Sequence, residues 1–236
     1  MPTAQPDIFA LIQGAVNDAW SVMRSRMSVY AILAAVCAVA GLAVPLAHLA
    51  GPDNEPIYRA QLAIQPANIC AAIAIFFAIP AVARTVQPEF RMTFIRLLAI
   101  IGIGFVIGLA TELGLFLLIA PGIWIGIKLS QTVWCYLLSE GKSPFEESWQ
   151  ITTGHFWETF GFNILIGLIV GIIVVALFLL PVLVAFWIPV LAVIMSPIAF
   201  LGYLFAYHIS LLGQMRWMLE LRKLPMPPAA APVTPA

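Results

Sequence analysis

Four polar side chains stand inside apolar runs, where their types could do chemistry: Glu112, Lys128, Gln131 and His208. An ionisable group at membrane depth is costly to hold there, so it faces a partner or a cavity. Glu112 lies nine residues before Pro121 and Lys128 seven after it. If the chain reverses at Pro121-Gly122, the helical rise places both side chains about 10–13 Å from the turn on antiparallel neighbours. Gln131 follows Lys128 by three residues and shares its helical face. One reading is a polar cavity for a lipid headgroup, a proton or a small solute. The other is a structural charge pair that fixes the hairpin and meets no ligand, with Lys128 otherwise snorkelling to the outer interface. His208 stands alone in the last apolar run and reads as a hydrogen-bonding helix contact before it reads as a catalyst.

Other chemistry finds little material. His48, His155 and His208 lie on separate segments. None is spaced with Cys, Asp or Glu on a buried face as metal ligands are, so neither metal nor cofactor is expected. Cys37, Cys70 and Cys135 sit within apolar stretches and read as small buried hydrophobes. His155, Glu146, Glu147 and Glu158 read as a solvated polar face. No nucleophile elbow, phosphate-cradling glycine loop or dinucleotide fingerprint is present.

The elements that must position these groups follow from composition. The 236 residues are 62% hydrophobic and 9% charged, against about 25% charged in soluble domains. A chain so poor in charge cannot cover itself with solvated groups, which excludes an ordinary soluble globule. Eleven Lys+Arg balance eleven Asp+Glu, which argues against a nucleic-acid partner. An all-α, polytopic membrane protein is expected, with about six spans of roughly 20 residues. The first apolar run begins near Ser28, behind Asp7, Asp18, Arg24 and Arg26, so a cleaved secretory signal is not expected.

Residues 7–26 carry Ile8, Leu11, Ile12, Ala15, Val16, Ala19, Trp20 and Met23 at helical spacing; this predicts an interfacial amphipathic helix within an N-terminal segment 1–27. Spans are expected over 28–49, 62–83, 95–119, 123–139, 162–183 and 187–212, with the tight turn at Pro121-Gly122. Gly104 with Gly108, and Gly167 with Gly171, have the spacing of small-residue helix packing. A second interfacial helix is expected over 143–160, with Ser143, Pro144 and Glu146 as its capping box and Trp149 and Trp157 at headgroup level. The transmembrane domain is thus 28–215. A basic helix end and a disordered Pro/Ala-rich tail make up 216–236. Nine of the Lys and Arg residues fall on one side (24, 26, 84, 91, 96, 142, 216, 222, 223) and Arg59 on the other, so both termini are expected in the cytoplasm.

Residues 119–157 read IAPGIWIGIKLSQTVWCYLLSEGKSPFEESWQITTGHFW. Pro121, Gly122, Ser130, Glu140, Gly141, Ser148, Trp149, Thr152, Gly154 and Trp157 carry a pattern that resembles bacterial six-span inner-membrane proteins related to the membrane domain of glycerophosphoryl diester phosphodiesterase. The resemblance implies a multi-pass protein of the bacterial inner membrane. It implies no chemistry, because catalysis in the phosphodiesterases belongs to a separate soluble barrel, for which the sequence after the last span leaves no room. The expectation is therefore a non-enzymatic scaffold, assembly factor or partner subunit, in contact with membrane lipids and with another membrane protein or itself. The alternative is a small transporter or lipid-handling protein with a cavity at Glu112 and Lys128.

Overall fold

A computed structural model describes residues 7–42, 56–117, 119–138, 143–179, 183, 187–188 and 191–223; for 56–68, 117, 178, 179 and 192 it describes the backbone alone. Among the described residues every regular element is a helix. In chain order these are α1 (Ile8–Arg24), α2 (Met27–Gly41), α3 (Pro56–Ala83), α4 (Phe94–Leu117), α5 (Ile119–Leu129), α6 (Thr132–Leu138), α7 (Pro144–Thr152), α8 (Phe156–Val174, running on as a π-helical turn Val175–Leu179) and α9 (Ala192–Lys223).

Three stretches are long and apolar enough to cross a membrane: Phe94–Phe116, Phe156–Leu177 and Val193–Lys223. The pair α1 and α2, bent by 81° at Ser25-Arg26, makes a fourth if it counts as one span. The helices are compatible with a membrane protein, and among the described residues three or four spans stand where six are expected. The reasons are local. The expected span 123–139 is interrupted: α5 stops at Leu129 and α6 starts at Thr132. Ser130 Oγ donates to the Ile127 carbonyl at 2.8 Å and Thr132 Oγ1 to the Leu129 carbonyl at 2.8 Å. Hydroxyls that hydrogen-bond nearby helix carbonyls favour such a break. The expected first span is α2, which ends at Gly41; residues 43–50 lie outside the described part. The C-terminal tail, 224–236, lies there too.

The second interfacial helix also divides. Gly154 takes φ 85°, a left-handed backbone that glycine adopts without a Cβ clash. It ends α7, so 156–160 become the first turns of α8. Pro144 does take the first position behind Ser143, but the capping box is not formed. Ser143 makes no side-chain cap, and Glu146 accepts from Gln150 at 3.0 Å instead.

The chain forms two compact units, one from Thr93–Ile164 and the chain from Gln214 on, the other from Phe9–Met92 and Leu165–Gly213. In the first, α4 and α5 form the expected hairpin, but Pro121-Gly122 is not its turn. The helix α4 is described to Leu117 and α5 from Ile119, so Pro121 sits in the first turn of α5, where an amide N–H has no helical acceptor to lose. Gly122 instead lets the two backbones touch: a Cβ on Gly114 would lie 2.7 Å from Gly122 Cα. In the second unit, Met23, Tyr30, Leu33, Cys37, Cys70, Ala74, Phe200 and Leu204 make an apolar core.

Candidate functional site

The first unit gathers its polar groups where α5 breaks. Stopping α5 leaves the Lys128 carbonyl without the usual helical donor, and α7 supplies replacements. Ser148 and Thr152, four residues apart and so on one face, donate to it at 2.8 and 3.4 Å. The side chain of Lys128 is 5% exposed. Its Nζ donates to Thr153 Oγ1 at 2.9 Å, and that hydroxyl donates onward to the Trp149 carbonyl at 2.7 Å. Nζ also lies 5.9 Å from the Trp124 ring centre and 5.6 Å from that of Trp149. The two indoles meet edge to face at 4.7 Å. Both distances fall within cation–π range. A hydroxyl and two ring faces therefore hold this ammonium. The charge pair with Glu112 is not made: Glu112 is exposed on α4.

Gln131 is fully buried and begins a directed relay of amides. Its Nε2 donates to Gln214 Oε1 at 2.7 Å, Gln214 Nε2 to Asn163 Oδ1 at 2.7 Å, and Asn163 Nδ2 to the Thr159 carbonyl at 2.8 Å. Thr159 Oγ1 receives Trp217 Nε1 at 3.2 Å, and the Trp217 ring stacks on Phe162 at 4.9 Å. Farther along, Arg222 and Glu147 form an ion pair at 2.7 Å. Gln131 Oε1 and Glu147 Oε2 are buried without a hydrogen-bond partner among the described residues. A buried amide is worth holding only when paired, and this relay ties the α5–α6 break to α8 and the end of α9.

His208 belongs to the second unit. It is buried, with Nδ1 2.9 Å from the Leu204 carbonyl and Nε2 3.3 Å from the Tyr30 hydroxyl. Both contacts are satisfied when Nδ1 carries the proton and Nε2 accepts from Tyr30. This is the helix contact its sequence position predicts.

The four expected site residues are thus dispersed: Lys128 to Thr153 and two indoles, Gln131 to Gln214, His208 to Tyr30, and Glu112 to the surface. Of the motif residues, Pro121, Gly122, Ser130, Ser148, Trp149, Thr152 and Gly154 build the α4–α5 contact, the α5 break and the α7 anchor. Trp157 is exposed at the start of α8, and Glu140 and Gly141 lie outside the described residues. A groove of about 310 Å³ runs beside them, with Thr111, Ser130 and Asn163 as polar points among Gly122, Gly126 and Phe160. Sequence reasoning passed over Asn163, Gln214, Thr159 and Trp217. The available signal was two amides standing in apolar helices, with Thr159 four residues before Asn163 and Trp217 three after Gln214.

No family model, curated protein or solved structure matches the chain.

Proposed function

We propose that this is a non-enzymatic, multi-pass protein of a bacterial inner membrane, with both termini cytoplasmic, acting as a scaffold, assembly factor or partner subunit. It is related on this reading to the six-span family that its 119–157 stretch resembles. The buried polar groups support the reading through the use they are put to: the amide relay and the Lys128 cluster hold helices to one another.

The observation that carries the reading is the open side of α4 and α8. A Cβ on Gly104, Gly108, Gly167 or Gly171 would meet nothing within 4 Å. Among the described residues, no helix packs against these glycines. Their neighbours Phe105, Leu109, Ile164, Leu168 and Ile172 are exposed. Glycine in a helix interior costs about 1 kcal/mol relative to alanine and offers nothing to fluid lipid. It does let a second helix approach closely. These faces fit a partner helix, from another membrane protein or a second copy.

The test replaces Gly104 and Gly108 together by Ile. Because no described residue occupies this space, the fold should stand while association is lost. Native mass spectrometry from mild detergent and cross-linking in intact membranes both read it. A wild-type chain that runs alone in both measurements, indistinguishable from the variant, removes the proposal. Tags on the two ends that report opposite compartments remove the topology.

A further inference from the structure

A polar cavity lies in the second unit, at the elbow between α1 and α2. It encloses about 530 Å³ and is lined by Ser21, Val22, Ser25, Arg26, Ala81, Arg84 and Thr85. Two guanidinium groups therefore border one space: Arg26 from the α1–α2 turn, and Arg84 just past the end of α3. No carboxylate lines it. Arg84 uses its Nε on the Phe90 carbonyl at 3.1 Å, which orients the group and leaves its Nη donors. Arg26 is the residue preceding α2 and makes no side-chain cap there. Two cations, each with several N–H donors, border one space that no carboxylate lines, which makes a receptor for a tetrahedral oxyanion.

The same elbow also borders an apolar cavity. Trp20, Met23, Met27, Leu201 and Phe205 line about 380 Å³, with Leu177, Ile198 and Gly202. Around the elbow the residues divide by side: Trp20 and Met23 of α1 and Met27 of α2 border the apolar cavity, while Ser21 and Val22 of α1 and Ser25 and Arg26 of the bend border the polar one. A molecule matching both carries a phosphate and an alkyl chain. We infer that the α1–α2 elbow binds the phosphate of an anionic phospholipid between Arg26 and Arg84, with an acyl chain lying in the neighbouring groove. A free phosphate ion shares the first half of that chemistry and has no use for the second. The inference is independent of the partner-helix reading, since none of its residues lies on the open faces of α4 or α8.

Isothermal titration of the full-length protein in neutral detergent decides it. The probes are dioctanoyl phosphatidylglycerol, dioctanoylglycerol and inorganic phosphate. Phosphatidylglycerol should bind tightest, and Arg26→Gln together with Arg84→Gln should weaken it about tenfold or more, as expected when charged hydrogen-bond donors are lost. Arg26→Gln alone is the variant least able to disturb folding, because that guanidinium makes no side-chain hydrogen bond or ion pair among the described residues, and it should weaken binding several-fold by itself. Ala81→Leu, which fills the polar cavity without removing charge, should weaken it as well. Equal binding of dioctanoylglycerol, or arginine variants that bind phosphatidylglycerol like the wild type, overturns the site. Inorganic phosphate binding as tightly as phosphatidylglycerol overturns the lipid and leaves a soluble anion in its place.

Discussion

Two sets of glycines in one helix, α4, meet opposite surroundings. Gly114 lies against Gly122 of α5 so closely that neither tolerates a Cβ, whereas Gly104 and Gly108, about three and two turns earlier, meet nothing within 4 Å. Nothing in their spacing separates them; Gly104 and Gly108 in fact have the better packing pattern. The comparison teaches that small-residue spacing marks a surface prepared for close approach and leaves open which chain approaches. The intramolecular contact is made where the hairpin is forced to be narrow, next to its turn. On the function proposed above, the open glycines would meet a helix from outside the protomer.

The comparison can be broken or sharpened by substitution. The largest effect is expected from Gly122→Val, which drives a branched side chain into the α4 backbone and should destabilise by about 1–3 kcal/mol or more. Thermal unfolding in detergent measures it, and a wild-type midpoint would mean that the hairpin is not tight there. Next is Gln214→Leu, which leaves Gln131 and Asn163 facing an alkyl group. Interhelical hydrogen bonds in membranes are worth about 0.6–1.7 kcal/mol each, so two lost bonds should lower stability by about 1–3 kcal/mol. A double-mutant cycle of Glu112→Gln and Lys128→Met should show coupling below about 0.5 kcal/mol; a larger coupling would restore the charge pair that the Thr153 and indole contacts replace. The smallest effect is expected from Gly104→Ala, which should leave unfolding unchanged or raise stability by up to about 1 kcal/mol through helix propensity. A clear loss of stability in the isolated protomer would show that the face is not open.

Local pattern carried much of the fold. The stripe through Ile12, Ala15, Ala19 and Met23 predicts α1 and the face it buries. The span expected over 95–119 falls on α4. What escaped was decided by competition or by distance. Ser130 and Thr132 look like ordinary helix residues until their hydroxyls take the carbonyls of α5. Gly154 reads as a motif position, yet its left-handed backbone is what separates α7 from α8. The site was less legible still. Gln131, Asn163 and Gln214 meet only after four helices are placed, and no periodicity links residues 83 and 51 positions apart. Lys128 invited a carboxylate partner because charge seeks charge. Trp124 and Trp149 satisfied it by a route that spacing does not disclose.

The cysteines have a practical consequence. Cys37, Cys70 and Cys135 are all buried, and none is in a disulfide. Thiol reagents added to the intact protein therefore meet a nearly silent background. A new cysteine at any surface position becomes its own reporter of sidedness, so residues near either end of α4 or α8 can be mapped by impermeant maleimides without first stripping the native sulfurs from the chain.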